Sequence, residues 1–341
     1  MTAISLNFMP AFYHKHLGLV YGEPYYFDPA YRATVDCAEQ RFLHETLGEH
    51  GVGSADPQPP TSIFIQPIDV ILLTQGAALD CPEEATLQTR GTPWAGLSVA
   101  EIERIDADEA ARHPIVDRVL EQYRVMVGMY GERADIFGLK GGSMAIHTPY
   151  TTAHQLCGEG LFMLMLEDPD GARVVLEKAR AVIFAIFARL SRELGATPTH
   201  LHLGDCSASL LSPAVYHGVV LPSNAALAEG FSAVGYHSCG SSSHLLKDFA
   251  TLPALGNIQL GPGTDLREAV RLMPQVLMQP LIDPLLLRNG SEAEVATGIA
   301  DVLEATAPAR ETILCAWSFD RETPIENVAT MYEVVEDHQS G

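Results

Sequence analysis

From about residue 140 onward, short apolar runs alternate with longer segments in which apolar residues recur every three or four positions. Short runs of this kind are typical of buried strands, and the longer period is that of an amphipathic helix. Within 170–194, one apolar helix face is formed by Val175, Ala179, Val182, Ile186 and Leu190. The pattern predicts strands at 144–147, 199–205, 234–239, 257–261, 276–281 and 312–317. It predicts helices at 152–167, 170–194, 213–230, 244–250, 265–273, 291–305 and 325–337.

Two of these helices begin with a recognisable capping sequence. Ser212 directly precedes Pro213, and proline is well tolerated at the first position of a helix because the missing N–H would have no partner there. Ser291 is followed three residues later by Glu294, which is the spacing of a capping box. Both sequences support helices that start where the apolar period starts.

Strands that alternate with helices predict a parallel sheet with helical crossovers. One or two more strands are expected within 62–90, around SIFIQPIDVILL, and eight strands would close a barrel. The competing fold is an open doubly wound sheet, but the glycine-rich phosphate loops of nucleotide-binding open sheets do not occur. We therefore predict an α/β fold, a (β/α)8 TIM barrel at 61–341. An irregular N-terminal extension at 1–60, with one helix near 30–47, is expected to pack on it.

Net charge and hydropathy indicate which classes of partner the protein can bind. The 341 residues include 43 acidic and 21 basic ones, which gives a formal net charge of −22. Such a surface repels a phosphate backbone, so nucleic-acid binding is not expected. The acidity fits a solvated surface, or alternatively a docking face for a basic partner. The first residues do not form a signal peptide, and no apolar run is long enough to cross a bilayer, so we expect a cytoplasmic protein with no membrane contact.

The cysteines are expected to be reduced. There are 6 of them, widely spaced in a long chain. Without an export signal, metal binding or simple burial is a better expectation than disulfide formation.

In a (β/α)8 barrel, the active site lies at the carboxyl ends of the strands. Polar residues at those positions are informative, because burying them without a function is costly. The polar residues that close predicted strands are His147, Asp205, His237, Cys239, Asp283 and Cys315.

Three of these residues form a donor set for zinc. His237 and Cys239 are two positions apart on one strand and therefore point to the same side, and Cys315 ends a later strand. One imidazole and two thiolates leave one coordination position open, which is the arrangement of catalytic zinc. The alternative is that both cysteines are buried apolar thiols and that His237 is a hydrogen-bonded substrate contact.

Other polar residues near the strand ends allow several roles. Asp205 could be a general base, a fourth metal ligand, a residue that orients His237, or only a turn carboxylate. Cys206 should point away from Asp205 along a strand, and we assign it to packing. His14 and His16 lie in the irregular extension and are either exposed or ligands.

The order of several short segments resembles that of a known family. The chain has six segments that resemble motifs of the uroporphyrinogen decarboxylase superfamily in the same order: MAIHTPYTTAHQLCGEG at 144–160, HLGDCSASLLSP at 202–213, YHSCG at 236–240, QPLIDP at 279–284, NGSEAEV at 289–295 and TPIENVATM at 323–331. The resemblance covers about residues 140–340, whereas the first 140 match only loosely. It implies the TIM-barrel fold already predicted from the strand and helix pattern.

The superfamily includes two chemistries, and the resemblance is closer to one of them. True decarboxylases carry an arginine-rich N-terminal segment that binds a polyanionic porphyrinogen, whereas this chain has NFMPAFYHKHLGLVYG there and no arginine before Arg32. Zinc-dependent methyltransferases of the superfamily move a methyl group from methylcobalamin to a thiol such as coenzyme M, and others use a pterin acceptor. The resemblance places their metal ligands at His237, Cys239 and Cys315, although AWSFDRE separates Cys315 from Thr323, a longer spacing than those enzymes have.

The resemblance therefore implies a zinc enzyme with catalytic residues Asp205 and His237. Substrate contacts are expected from His147, Tyr236 and Asp283. No D-x-H-x-x-G corrinoid signature occurs, so the corrinoid should arrive on a separate corrinoid-carrying protein. A decarboxylase and a non-enzymatic ligand-binding barrel remain the alternatives, because fold does not imply function.

Overall fold

The computed structural model describes residues 3–63 and 65–340. The described strands are β1 Ala3–Phe8, β2 Ala78–Asp80, β3 Gln88–Arg90, β4 Ser143–His147, β5 His200–Gly204, β6 Ala233–Ser238, β7 Leu255–Leu260, β8 Leu277–Pro280 and β9 Ile313–Phe319. The six strands predicted from 144–147 onward all occur, with bounds that differ by one or two residues.

The helices before β5 are α1 Pro10–Leu17, α2 Glu23–Phe27, α3 Pro29–Leu47, α4 Pro67–Thr74, α5 Val99–Glu103, α6 Ala107–Ala111, α7 Pro114–Tyr130, α8 Pro149–Cys157, α9 Gly160–Glu167 and α10 Pro169–Leu194. Those after β5 are α11 Pro213–Val215, α12 Leu221–Ala228, α13 Leu246–Phe249, α14 Leu266–Leu272, α15 Pro284–Asn289, α16 Glu292–Thr306 and α17 Ile325–Ser340. Within the described part of the chain, no helix is both long and apolar enough to cross a membrane.

The chain folds into two compact units. The central unit comprises Thr61–Asp80 and Gln88–Asn257, and the terminal unit comprises Met1–Pro60, Cys81–Leu87 and Ile258–Gly341. Strand β7 begins in the central unit and ends in the terminal one. Residues 1–60 thus share a unit with the end of the chain, and the domain boundary expected at residue 60 stays a prediction.

The central unit contains the parallel strands β4, β5 and β6 in that order, followed by the start of β7. The amide of Val234 donates to the carbonyl oxygen of Ala254 at 2.9 Å. Helix α10 buries its predicted apolar face completely from Val175 to Leu190. The parallel strands and their helical crossovers confirm the predicted α/β class.

The terminal unit contains parallel strands of its own. The amide of Leu281, just after β8, donates to the carbonyl oxygen of Leu260 at 2.8 Å, and parallel bridges join Met278 to Thr312 and Leu281 to Cys315. Strand β1 pairs with β9 in parallel, with Ser5 opposite Cys315. The N-terminal segment is therefore less irregular than predicted, since it supplies a strand as well as the expected helix α3.

The expectation of one or two core strands around SIFIQPIDVILL was wrong in its main part. Residues Pro67–Thr74 form helix α4, and β2 and β3 form a short antiparallel pair. Ser62 makes a single parallel bridge to Asp135, and Phe64 lies outside the described residues. A short apolar run cannot be distinguished from a buried helix by periodicity, and Pro67 favours the first turn of a helix.

Two predicted helices are interrupted. The helix expected at 152–167 is divided by Gly158, which has a φ of 66°. The helix expected at 213–230 contains a π-helical turn at Tyr216–Val220, followed by Pro222. Because Pro222 has no N–H to give to the carbonyl of Gly218, that oxygen accepts a hydrogen bond from Arg173 at 2.8 Å instead. The predicted caps at Ser212 and Ser291 are both present.

Candidate functional site

Three neighbouring strands of the central unit end at the same level. His147 lies opposite Gly204, and Gly204 lies opposite His237 in the parallel register. Side chains two residues apart on a strand share a face, so His202 points to the same side as His147 and His237. The rings of His202 and His237 lie 6.5 Å apart, centroid to centroid. The structure thus gathers three imidazoles on one face of the strand ends.

His202 was missed in the sequence analysis. The signal was present in HLHLGD, because a residue two positions before Gly204 must share the face of the two strand-end histidines. Burial, and after it the nearby His237, lowers the pKa of His202 to about 4. Burial, followed by repulsion from His237 and His202, also lowers the pKa of His147 to about 4. Both side chains are therefore neutral at physiological pH.

Asp205 follows β5 and is completely buried. Its Oδ1 accepts hydrogen bonds from the hydroxyls of Thr148 at 2.7 Å and Thr151 at 2.9 Å. Its Oδ2 accepts from the Asn224 amide at 3.0 Å and the Tyr236 hydroxyl at 2.7 Å. Burial raises the pKa of this carboxyl, and the four hydrogen bonds act in the opposite direction. Both oxygens are used by the protein itself, so Asp205 is arranged to hold its surroundings in place.

Tyr236 lies on β6, directly before His237. Its side chain is completely buried and joins Asp205 and the Tyr216 hydroxyl, which is 2.9 Å away. Adjacent residues on a strand face opposite sides, so Tyr236 lies on the closed side of β6 while His237 occupies the open side. The substrate contact predicted for Tyr236 stays a prediction.

The side-chain direction expected for Cys206 rested on a strand that does not reach it. This cysteine was assigned to packing on the assumption that the strand continued through it, but β5 ends at Gly204 and Cys206 lies in the following turn. Strand alternation does not apply there. The ligand atoms of Cys206, His237 and Cys239 all lie within 4.8 Å of one another. The Cys206 sulfur is also 3.9 Å from Nε2 of His147.

The two thiols of this cluster differ in their electrostatics. A hydrogen bond with Cys206, followed by one with His237, lowers the pKa of the Cys239 thiol well below its ordinary value. The same hydrogen bond with Cys239, together with burial, raises the pKa of Cys206. Cys239 is exposed and Cys206 is partly buried. One imidazole and two sulfurs at this separation fit zinc, which prefers nitrogen and sulfur donors.

A glycine allows the two cysteine-bearing loops to approach each other. A Cβ atom added to Gly240 would lie 2.7 Å from Cβ of Ser209 and would also overlap its hydroxyl oxygen. Real Cβ contacts essentially never come this close, so a side chain at position 240 would separate the loops. Gly240 therefore helps to bring Cys239 next to Cys206.

The two other strand-end residues, Asp283 and Cys315, belong to the terminal unit. Cys315 is completely buried within β9 and donates to its own strand at the Ile313 carbonyl, 3.8 Å away. Burial raises the pKa of this thiol to about 12. Asp283 caps α15 by accepting from the Leu285 amide at 2.8 Å, and it borders a cavity of about 430 Å³.

The N-terminal histidines have local contacts in the terminal unit. Nδ1 of His14 lies 2.8 Å from the Leu19 carbonyl oxygen, and the His16 ring lies 4.5 Å from that of Phe12. Neither occurs in a group of potential metal ligands among the residues that the structure describes.

Comparisons with known proteins agree with this architecture. The family profile described as uroporphyrinogen decarboxylase (URO-D) matches residues 68–338. A solved methyltransferase from Methanosarcina mazei is similar over 99% of this chain and 94% of its own, with a TM-score of 0.65 and 16% identity. A B12-independent methionine synthase from a Shewanella species, in complex with selenomethionine, covers 99% and 98% of the two chains. Its TM-score is 0.47 and its identity 9%, too low to support an argument.

No curated protein matches the sequence. The profile nevertheless extends over most of the chain, and the similarity to the Methanosarcina mazei structure confirms the predicted (β/α)8-barrel fold class. The chain therefore belongs to the uroporphyrinogen decarboxylase (URO-D) family.

Proposed function

We propose that the chain is a methyltransferase that moves a methyl group from a methylated corrinoid to a small thiol. A separate corrinoid-carrying protein delivers the methyl donor. The observation that carries the proposal is the cluster of one imidazole and two thiols at the strand ends of a protein of this family. The methyltransferase activity named for the Methanosarcina mazei protein is consistent with it.

His237 and Cys239 would bind a zinc ion in this enzyme. Both reach the open side of the strand ends, and Cys239 is exposed and favours the thiolate form. A zinc ion bound there would hold a substrate thiol in its deprotonated, nucleophilic form. The proposed overall reaction forms a sulfur–carbon bond and breaks the carbon–cobalt bond. The bonding electron pair stays on cobalt, and the thiol proton is released.

The other strand-end residues would serve this site in different ways. His147 is neutral, lies beside Cys206 and shares the open face, so it would contact the acceptor. Asp205 would act as a positioning residue, because its four hydrogen bonds fix the turn that carries Cys206 and the strand that carries His237. Asp283 belongs to the terminal unit, where it borders the 430 Å³ cavity, and its proposed role as a substrate contact applies to that cavity.

Methyl transfer can be measured directly with free methylcobalamin and a simple thiol such as 2-mercaptoethanesulfonate. We expect the zinc-loaded protein to convert methylcobalamin into cob(I)alamin under anaerobic conditions, followed by absorbance, with the methyl thioether as product. Cys239→Ala should abolish the reaction and leave the circular dichroism spectrum unchanged. Cys37→Ser, remote in sequence from the strand ends, is the matched control. Turnover that does not need Cys239 would contradict the proposal.

Assays of the same zinc-loaded protein also distinguish the alternative functions. A pterin acceptor would become the better interpretation if the methyl group were transferred to a tetrahydropterin and not to a thiol. Decarboxylation of uroporphyrinogen would show the other chemistry of the family. A protein that binds methylcobalamin but catalyses neither reaction would be a ligand-binding barrel.

A further inference from the structure

We propose that Cys206, and not Cys315, is the third protein ligand of the zinc site. The ion would then be held by Cys206, His237 and Cys239, from the ends of the two neighbouring strands β5 and β6. The inference rests on the proposed function, since it names a ligand of the zinc ion that the function requires.

The distances suit a small rearrangement upon metal binding. Zinc bonds of about 2.3 Å to sulfur and about 2.0–2.1 Å to nitrogen place tetrahedral ligand atoms roughly 3.4–3.8 Å apart. In the structure, the three ligand atoms lie within 4.8 Å of one another, and the two thiols are hydrogen-bonded. Starting from 4.8 Å at most, each pair of ligand atoms would need to approach by no more than about 1.0–1.4 Å. Side-chain rotation can supply a movement of that size without a change in the strands.

The backbone that carries Cys206 is held firmly in this position. Its neighbour Asp205 is fixed through four side-chain hydrogen bonds, and the Asp205 amide donates to the His237 carbonyl oxygen at 2.7 Å. The close approach of Gly240 to Ser209 ties the loop after Cys239 to the same turn. Cys206 is therefore placed in advance beside both other ligands, as a catalytic metal site requires.

Cys315 has the properties of a structural cysteine. It is completely buried and donates within its own strand, and burial stabilises its protonated form. A thiol in apolar surroundings is inert, whereas a metal ligand must be deprotonated. Cys206, by contrast, is partly accessible, and its sulfur lies within 4.8 Å of the ligand atoms of His237 and Cys239.

The charge and number of these three ligands also suit a catalytic zinc ion. Two thiolates and one neutral imidazole cancel the charge of Zn²⁺ and leave one of four positions for the acceptor thiol. Each cysteine ligand must be deprotonated to bind the ion, which makes the zinc affinity depend on pH.

The test compares metal binding in wild-type protein, Cys206→Ser, Cys239→Ser and Cys315→Ala, all kept reduced under argon. Zinc stoichiometry is measured by mass spectrometry, and Co²⁺ substitution reports thiolate ligands through their charge-transfer absorption. We expect Cys315→Ala to keep one zinc per chain and the full charge-transfer band. Cys206→Ser should lose about half of the band and bind zinc more weakly, by more than the 10- to 100-fold typical for loss of an outer partner of a metal ligand.

A second variant avoids any change at the proposed ligand. Replacing Cys37 and Cys81 by Ser and Cys157 and Cys315 by Ala leaves Cys206 and Cys239 as the remaining cysteines of the 6. This protein should retain the two-thiolate cobalt spectrum. The inference is overturned if the spectrum falls to one thiolate, if Cys315→Ala loses zinc while Cys206→Ser keeps it, or if the wild type binds no zinc. Failure of the proposed function is distinguishable, because zinc bound through Cys206 without methyl transfer would leave the ligand assignment intact.

Discussion

The hydroxyl of Tyr236 donates a hydrogen bond of 2.7 Å to Oδ2 of Asp205, and both side chains are completely buried. Tyr236 lies on the closed face of β6, while the next residue, His237, lies on the open face. Asp205 in turn directly precedes Cys206. The buried hydrogen bond therefore connects the two strand ends that carry the candidate zinc ligands, from behind the site.

Tyr236→Phe removes this hydrogen bond and one of the four donors to a buried carboxylate. We expect the free energy of unfolding to fall by about 1–3 kcal/mol, because Oδ2 of a buried carboxylate would keep only the hydrogen bond from Asn224. Urea unfolding monitored by circular dichroism measures it. Tyr216→Phe is the matched control, since the Tyr216 hydroxyl contacts Tyr236 and Asn224 and is not among the donors recorded for Asp205. An equal loss of unfolding free energy in both variants would show that the hydrogen bond to Asp205 stabilises the fold no more than the other contacts of these hydroxyls.

Gly235 is required by the packing on the open face of β6. A Cβ atom there would lie 2.7 Å from Oδ1 of Asn257 and 2.9 Å from Nδ1 of His202. We expect Gly235→Ala to destabilise the fold by about 1–3 kcal/mol, the usual cost of overpacking. Gly256→Ala is the control, because the nearest atom to its Cβ would be the Val234 carbonyl oxygen at 3.8 Å. Chemical unfolding of both variants should separate them, and equal stabilities would show that His202 and Asn257 move aside without cost.

Much of this architecture follows from local sequence rules. The strands from β4 to β9 are predictable because short apolar runs alternate with helical periods, and parallel strands bring their carboxyl ends to one edge. His147 and His237 therefore lie at the same level, as the register shows. The buried helix α4 was not predictable in the same way, since its run of apolar residues fits a strand equally well.

The side-chain positions in the turns could not be predicted from the periodicity of the sequence. Alternation predicts side-chain direction only within a strand, and Cys206 lies two residues beyond the end of β5. Its approach to Cys239 depends on the turn and on the close contact at Gly240, which are tertiary features. The role of Asp205 was similarly open until its four hydrogen-bond donors, from separate segments, were known.

The depressed pKa of His202 predicts a pH-dependent stability. Burial, followed by repulsion from His237, lowers the folded-state pKa from 6.5 to about 4. Between these values the unfolded chain binds a proton that the folded chain does not, so stability is lost as the pH falls from above 6.5 towards 4. We expect the free energy of unfolding of wild-type protein to fall more steeply than that of His202→Gln in this window, by about 1 kcal/mol per pH unit.

Urea titrations at several pH values between 7.5 and 5 measure this slope. His200→Gln is the matched control, since His200 lies on the same strand but is exposed. Parallel slopes for wild type and His202→Gln would mean that the imidazole of His202 binds a proton as readily in the folded as in the unfolded protein.

The last prediction concerns Gly240 and the affinity for metal. In Gly240→Ala, the new methyl group would meet Cβ of Ser209 at 2.7 Å, and rotation of the serine hydroxyl cannot relieve a contact with Cβ. The loop after Cys239 must therefore move away from the turn that carries Cys206. Since the ligand atoms have to contract to bind zinc, we expect the zinc affinity to fall about tenfold, or about 1.4 kcal/mol, with the fold unchanged.

Competition with a chromophoric chelator measures the dissociation constant. Ser209→Gly removes the opposing Cβ, so the double variant Ser209→Gly/Gly240→Ala should recover most of the wild-type affinity, while Ser209→Gly alone should leave it unchanged. This rescue distinguishes a steric effect on the two loops from a general loss of stability, which the second substitution would not repair. An affinity for zinc that is the same in Gly240→Ala and wild type would show that the spacing of Cys206 and Cys239 does not depend on this contact.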